Sequence, residues 1–215
     1  MILPKYTPKE LARNVRYILL DPPSWFQFLD LVKNMNSWLD VKSSIKENFS
    51  ILQHRKLGIT YTSTINYRRL IMTEWETWKR FYTFPFSLEG KTILDIGAGC
   101  GETALFYSTY GAKKIICVEQ DKRLIPFLEK NRDANRLDMD ILNEPFNLNH
   151  LKLSFDGAKM DIDGGEKEFL KINRRIWFPL VAEIHGDELE RAFLERGLRT
   201  RFRPRETRRA IMDNF

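Results

Sequence analysis

Cysteine is scarce in this chain, and no hydrophobic segment is long enough to cross a bilayer. Only two of the 215 residues are cysteines, Cys100 and Cys117, and neither has a second thiol at the spacing of a metal ligand set. The disulfide framework of a small secreted protein is therefore excluded, and a reducing cytoplasm is the expected compartment. Because no apolar run approaches the roughly 20 residues of a membrane span, we expect no membrane segment, and we expect no secretory leader.

Charge of one sign does not dominate either. The chain has 35 lysines and arginines against 29 acids, so its net charge is +6 and its pI is near 9.3. This excess mildly favours acidic or phosphorylated partners without naming one. A hydrophobic content of 43% is typical of a globular protein, and the length allows one domain with a substantial extension.

What the chain does contain is a glycine loop behind an apolar strand, at 92–101. A β-branched run leads to Asp95, glycines follow at alternate positions, and a helical pattern begins at Glu102. Such glycines let the backbone turn sharply and let a ligand approach it closely. The spacing differs from the Gly-x-Gly-x-x-Gly of dinucleotide sites. With its aspartate it resembles motif I of the class I S-adenosylmethionine (SAM) methyltransferases, and the alternative is a structural turn.

A second apolar strand is predicted at 114–119, and it ends in Glu119. An acid at the tip of the second strand of a nucleotide-binding sheet accepts hydrogen bonds from ribose hydroxyls. Positions 95 and 119 are 24 apart, close to the roughly 20 residues that such units show. An ordinary solvated carboxylate is the alternative interpretation. A third strand at 139–144 makes Asn143 a candidate for contact with the adenine, and Asp140 a weaker one.

Two further strands end in groups that can carry chemistry. The fourth, at 158–163, contains Asp161 and Asp163 and precedes a Gly-Gly turn and a predicted helix with Glu166 in its first turn. Residues two apart share one face of a strand, so the two aspartates would repel each other or share a ligand, a proton or a cation. The fifth strand, at 179–186, delivers Glu183 and His185.

Strands and helices alternate over 92–215, and a hairpin is predicted at 198–212. This order predicts an α/β fold, a Rossmann-like, doubly wound, mostly parallel seven-stranded sheet whose final strand is antiparallel. Ligands bind such sheets beyond the carboxyl ends of the strands. The glycine loop, Glu119, Asn143, the aspartates and His185 are all predicted to lie at that edge.

The region before the sheet is predicted to be a mostly helical extension, residues 1–88, followed by a SAM-binding domain at 89–215. Helices are predicted at 7–20, 37–52 and 70–81, and a loop or short strand at 58–64. The aromatic residues of this extension are expected to be buried against another part of the protein. We therefore expect it to pack over the ligand edge and to bring Tyr61 close to the cofactor.

Four motifs in order give the chain a resemblance to the FkbM family of SAM-dependent methyltransferases. They are the loop at 95–101, Glu-Gln-Asp at 119–121, Asp-Ile-Asp-Gly-Gly-Glu at 161–166 and Glu-Ile-His at 183–185. The chain departs from the family pattern at Gly99, Gln120 and Asp163. The resemblance implies methyl transfer with SAM as cofactor. It implies that the cofactor is bound by Asp95, Gly97, Ala98, Gly99, Gly101, Glu119, Gln120, Asn143 and Asp161.

A hydroxyl acceptor would need a group that removes its proton. His185 is the first candidate for that base by its unperturbed pKa, with Asp161 second and Asp163 beside them. The two aspartates could instead hold a divalent cation through oxygen ligands, although no residue set is assigned as a metal centre. A purely structural histidine is the alternative for His185.

Three functions are consistent with these residues. The first is O-methylation of a small-molecule or glycan-like hydroxyl. The second is methylation of RNA, for which the C-terminal arginines would supply a basic face. The third is SAM binding without catalysis. The sequence leaves the oligomeric state open. The arginines in question are those at positions 191, 196, 199, 201, 203, 205, 208 and 209.

Overall fold

The computed structural model describes residues 38–44, 49–54, 58–62, 78–172, 175–203 and 209–215. The chain divides into two compact units, Met1–Thr77 and Trp78–Phe215, and each is described by itself. Among the described residues, no helix has the length and apolar character that a membrane span needs.

The described part of the first unit is a three-stranded antiparallel sheet. Its strands are β1 (Trp38–Ser44), β2 (Phe49–His54) and β3 (Gly58–Thr62), with β2 in the centre. The predicted helix at 37–52 is therefore wrong. Apolar and polar residues alternate around Val41, which is the period of a strand, and Val41 pairs with Leu52 of the next strand.

Other predictions for the extension stay open. The predicted short strand at 58–64 is confirmed at Gly58–Thr62. The predicted helix at 7–20 and most of the predicted helix at 70–81 lie outside the described residues. It stays a prediction that the extension packs over the ligand edge and that Tyr61 lies near the cofactor.

The second unit is built on a seven-stranded sheet in the order β6-β5-β4-β7-β8-β10-β9. Pairing is parallel from β6 to β8, and β10 runs antiparallel to both β8 and β9. The predicted fold class is confirmed. The strands are β4 (Thr92–Ile96), β5 (Lys114–Val118), β6 (Met139–Leu142), β7 (Gly157–Met160), β8 (Leu180–His185), β9 (Arg199–Phe202) and β10 (Arg209–Asp213).

Helices connect the parallel strands. They are α1 (Glu102–Thr109), α2 (Ile125–Asn135) and α3 (Asp187–Leu194), with 3₁₀ helices at Leu148–Lys152 and Glu166–Lys171. The helix predicted after the Gly-Gly turn is thus a short 3₁₀ helix. The N-cap of α3 is Gly186, so Asp187 is its first residue and not its cap.

The central strands are mostly apolar because both faces of a parallel sheet are covered. Ile93, Leu94, Ile96, Leu180 and Ile184 have no exposed surface. A core of this kind holds the strand ends rigidly. The groups that follow β4, β5, β7 and β8 therefore meet at one fixed edge.

The sheet unit begins at Trp78, before the boundary predicted at position 89. Aromatic residues ahead of β4 pack on the sheet's first helix. The ring of Trp78 lies 6.0 Å from that of Phe106, and the ring of Phe84 lies 5.8 Å from that of Tyr107. Burial of these large side chains attaches the segment to the sheet unit.

Candidate functional site

The loop between β4 and α1 has a backbone that only glycine adopts readily. Gly97, Gly99 and Gly101 have φ angles of 73°, 59° and 93°. A Cβ atom on Gly97 would lie 1.9 Å from the carbonyl oxygen of Asp161, so that position excludes any side chain. The loop is held against β5, since the N–H groups of Gly97 and Ala98 donate to the Val118 carbonyl at 2.9 and 3.3 Å.

Glu119 ties the tip of β5 to this loop. One carboxylate oxygen accepts the Gly99 N–H at 2.9 Å and the other accepts the Asp121 N–H at 2.8 Å. A carboxylate has about four lone pairs, so Glu119 can accept further bonds from ribose hydroxyls. The Asn143 amide donates to the Glu119 carbonyl at 2.9 Å, and Gln120 is exposed beside them. The loop and the two strand tips thus fit the adenosine part of SAM.

Asp95 lies beneath the loop, without exposed surface, and pairs with a lysine that the sequence analysis missed. The Lys159 Nζ is 3.1 Å from Asp95 Oδ1 and donates to the Gly97 carbonyl at 2.8 Å. Burial alone would lower the pKa of Lys159, but the carboxylates of Asp95 and Asp161 raise it above its usual value. The pair therefore supports the loop from below. The one signal in the sequence was a lysine within the apolar strand β7.

The ends of β7 and β8 bring Asp161, Glu183 and His185 together. One ligand atom from each lies within 4.8 Å of the other two. The Tyr82 hydroxyl is 3.2 Å from Asp161 Oδ2 and 3.1 Å from Glu183 Oε2, while Arg209 Nη1 donates to Glu183 Oε1 at 2.8 Å. We call Asp161, Glu183 and His185 together the Asp161–Glu183–His185 cluster. No local pattern in the sequence indicates this role of Tyr82, because it lies 79 and 101 positions from its two partners.

His185 is surrounded by carboxylates. Its Nδ1 lies 2.7 Å from Glu166 Oε1, and its Nε2 lies 3.4 Å from both Asp163 Oδ1 and Glu183 Oε1. Glu166 and then Glu183 raise the pKa of His185 to about 10. An imidazole with that pKa is protonated at neutral pH. A protonated imidazole cannot accept a proton, so His185 does not fit the role of base predicted from its unperturbed pKa.

The pKa values of the two carboxylates of the cluster are shifted in opposite directions. Burial and the repulsion of Glu183 raise the pKa of Asp161 to about 6, although Lys159 lowers it. Burial also opposes ionisation of Glu183, but His185 and Arg209 outweigh it and lower the pKa of Glu183 to about 2. Asp161 is thus the carboxylate with a pKa near the range in which a base works at neutral pH.

Asp163 does not share a strand face with Asp161. β7 ends at Met160 and the chain turns through Gly164, whose φ is 81°. The side chain of Asp163 is 95% exposed, whereas Asp161 points to Tyr82. The predicted pair of aspartates is therefore replaced by Asp161 with Glu183 and His185, and Asp163 approaches the cluster from the solvent side.

The C-terminal arginines are largely engaged within the protein. Arg201 bonds to Asp213 and to the Thr83 carbonyl, and Arg203 lies 2.5 Å from Glu190. Arg196 donates to the carbonyls of Ala192 and Leu170 at 2.8 Å. Arginines 205 and 208 lie outside the described residues. Arg201 and Arg203 attach the hairpin to neighbouring segments, so the run of arginine in the sequence does not by itself indicate a basic face.

Glu102, at the start of α1, makes the stability of the protein depend on pH. Its Oε2 accepts the Cys100 N–H at 3.0 Å, and burial raises its pKa from 4.5 to about 7. The folded state keeps a proton that the unfolded chain releases above pH 4.5. The contribution of Glu102 to stability is therefore full below pH 4.5 and lost as the pH rises to about 7.

Glu102→Gln is expected to flatten this dependence, because glutamine resembles the protonated acid at every pH. In the wild type the free energy of unfolding should fall by up to roughly 3 kcal/mol more across that window than in the variant. Urea unfolding at several pH values measures the difference. Glu129→Gln, on the exposed face of α2, is the matched control. Parallel pH profiles for the wild type and Glu102→Gln would contradict the prediction.

No protein-family model matches the chain, so membership of the FkbM family stays a prediction. The chain is 30% identical over 69 residues to the ribosomal protein L11 methyltransferase of Thermotoga maritima, a match to 30% of this chain and 26% of that protein. The chain thus spans about a quarter of the length of that curated relative.

Solved structures share the fold. The M. jannaschii tRNA m1G37 methyltransferase superposes with a TM-score of 0.52 at 17% identity, over 80% of this chain and 55% of that one. Aeropyrum pernix fibrillarin, solved with natively bound SAM, gives 0.51 at 13% identity, over 82% and 98%. The chain therefore contains the Rossmann-like fold of the SAM-dependent methyltransferases.

Proposed function

We propose that this chain is a SAM-dependent methyltransferase. The observation that carries the proposal is the glycine loop after β4 with the Glu119 carboxylate bonded to its Gly99 N–H at 2.9 Å. SAM supplies a methyl group on a sulfonium, which moves to a nucleophile in line with the bond that breaks. The loop glycines, Glu119 and Asn143 would hold the adenosine part.

The acceptor would lie at the Asp161–Glu183–His185 cluster, next to the loop. Asp161 would accept the proton or orient the N–H or O–H of the nucleophile, since it lies at the end of β7 with its backbone against the glycine loop. Tyr82 holds the Asp161 carboxylate in place through its hydroxyl. The proton of His185 would complement charge on the acceptor.

Among the acceptors considered, we favour RNA over a small-molecule or glycan-like hydroxyl. One solved structure with this fold is a tRNA methyltransferase, whereas the curated relative is named for a ribosomal protein, so protein is the acceptor that the test must separate from RNA. The carboxylates of the cluster suit the amino and imino groups of a nucleobase, which donate hydrogen bonds. The arginines of the hairpin that pair with acids within the protein are not used as support for an RNA acceptor.

Gly99→Val is expected to abolish SAM binding. A branched side chain at a φ of 59° strains the loop and places atoms where the cofactor would approach. Calorimetric titration with SAM measures the loss. The matched control is Gly90→Val. Gly90 has a φ of 72° and open space where a Cβ would lie, and it belongs to the turn before β4 and not to the glycine loop. Equal SAM affinity in the two variants would refute the assignment of the loop.

Transfer of a labelled methyl group from SAM tests the acceptor. Total RNA and total protein from cells are offered in separate reactions, and we expect label in the RNA that nuclease treatment releases. Label in protein alone would overturn the choice of RNA and leave methyl transfer standing. Binding of SAM with no label in either would favour a non-catalytic SAM-binding protein.

A further inference from the structure

The Asp161–Glu183–His185 cluster has the geometry of a metal ligand set. β7 and β8 are adjacent and parallel, with Met160 opposite Ala182, so the residues that follow them meet at one edge. One ligand atom from each member lies within 4.8 Å of the others. Three donors on two rigid strand ends form a preorganised arrangement.

The spacing around His185 Nε2 leaves room for an ion between this nitrogen and the carboxylates. Nε2 is 3.4 Å from Glu183 Oε1 and 3.4 Å from Asp163 Oδ1, beyond the roughly 2.7–3.2 Å of an N–H···O bond. Ligands that each lie about 2.0–2.2 Å from a tetrahedral ion are separated from each other by about 3.3–3.6 Å. Both distances therefore match a coordination sphere.

Glu166 orients the imidazole for such a role. Its Oε1 is 2.7 Å from His185 Nδ1, a true hydrogen-bond distance, so Nδ1–H donates there. Nε2 can offer its lone pair once an ion takes the place of the proton on this nitrogen. Glu166 has no exposed surface, and its Oε2 has no hydrogen-bond partner among the described residues. A buried carboxylate behind the distal nitrogen is the usual support of a metal-bound histidine.

The two carboxylates of the cluster also compete for one hydrogen-bond donor. Tyr82 approaches both Asp161 and Glu183, but its hydroxyl has one proton and donates to one of them at a time. Arg209 serves Glu183 from the other side. A cation between Asp161, Glu183 and His185 would satisfy both carboxylates together.

We propose that Asp161, Glu183 and His185 bind one divalent transition-metal ion, with Asp163 able to close the site from the solvent side. A nitrogen with carboxylate oxygens suits Zn²⁺ or Mn²⁺ better than Mg²⁺ or Ca²⁺, which prefer oxygen alone. This proposal does not rest on methyl transfer. The ion can be titrated into the full chain without SAM or acceptor.

Calorimetric titration of metal-free protein with ZnCl₂, MnCl₂ and MgCl₂ tests the site. We expect one Zn²⁺ or Mn²⁺ per chain, bound at least about 10-fold more tightly than Mg²⁺. The electron paramagnetic resonance signal of free Mn²⁺ should fall in proportion. Absence of binding by Zn²⁺ and Mn²⁺ at about 1 mM would overturn the proposal.

Variants assign the bound ion to these residues. His185→Ala and Glu183→Gln should each weaken binding by at least about 10-fold, and Glu166→Gln by about 10- to 100-fold through the orientation of His185. Asp133→Asn, an exposed carboxylate of α2 paired with Arg132, is the control that should bind as the wild type does. Thermal melting monitors folding, and Glu183→Gln decides the test if His185→Ala does not fold. Wild-type affinity in folded Glu183→Gln would overturn the site.

Discussion

Lys159→Met is expected to lower the free energy of unfolding by about 3–5 kcal/mol, because it leaves the Asp95 carboxylate buried and without its counter-charge. Asp95 has no exposed surface and Lys159 is 2% exposed, so water cannot replace the lost partner. The variant also removes the bond from Nζ to the Gly97 carbonyl. Urea unfolding followed by circular dichroism measures the change.

Two controls separate the unpaired charge from the loss of a lysine. In Lys159→Met with Asp95→Asn no charge is left buried, so much of the lost stability should return. Lys114→Met breaks the more exposed pair with Asp140, at 2.8 Å, and should change stability by less than about 1 kcal/mol. A loss of that small size in Lys159→Met itself would show that the buried pair is not needed.

The second large effect is expected on catalysis. Asp161→Asn should slow methyl transfer to the acceptor by roughly 100-fold or more while SAM affinity stays nearly unchanged, as for removal of a general base. The carboxylate lies with Glu183 and Tyr82 at the end of β7. Single-turnover transfer of labelled methyl to RNA gives the rate, and calorimetry gives the affinity for SAM.

The matched control is Glu168→Gln, a carboxylate on the nearby 3₁₀ helix that pairs with Lys171 at 2.5 Å. It should transfer methyl at the wild-type rate. Asp163→Asn and His185→Ala are also predicted to slow transfer, the latter through the charge and position of the cluster. An unchanged rate in Asp161→Asn would remove this residue from the chemistry.

The sheet could be predicted from sequence because its signals are local. β4 and β5 are short apolar runs bounded by glycine or a charged residue, and the strand from Leu180 to His185 follows the same rule. The first two strands of the N-terminal sheet, β1 and β2, were missed because their signals are not local. These strands form their hydrogen bonds with partner strands, as at Val41 and Leu52. The spacing of apolar residues within one segment gives no information about such partners.

The site was predicted in part. The positions of Glu119 and His185 at strand ends follow from topology, because parallel strands end at one edge. Tyr82 lies 101 positions from its partner Glu183, and no local pattern links the two. Lysine is usually a surface residue. Lys159 is buried because its strand, β7, lies between β4 and β8 in the sheet.

The contact between Gly97 and Asp161 joins the two halves of the site mechanically. The Asp161 carbonyl occupies the space that a Cβ of residue 97 would need, and the Asp161 N–H donates to the Ile96 carbonyl at 2.9 Å. A displacement of the glycine loop therefore moves the backbone that carries the Asp161 carboxylate. Whatever binds the loop and whatever binds the cluster would then alter each other's affinity, and by thermodynamic reciprocity the factor is the same in both directions.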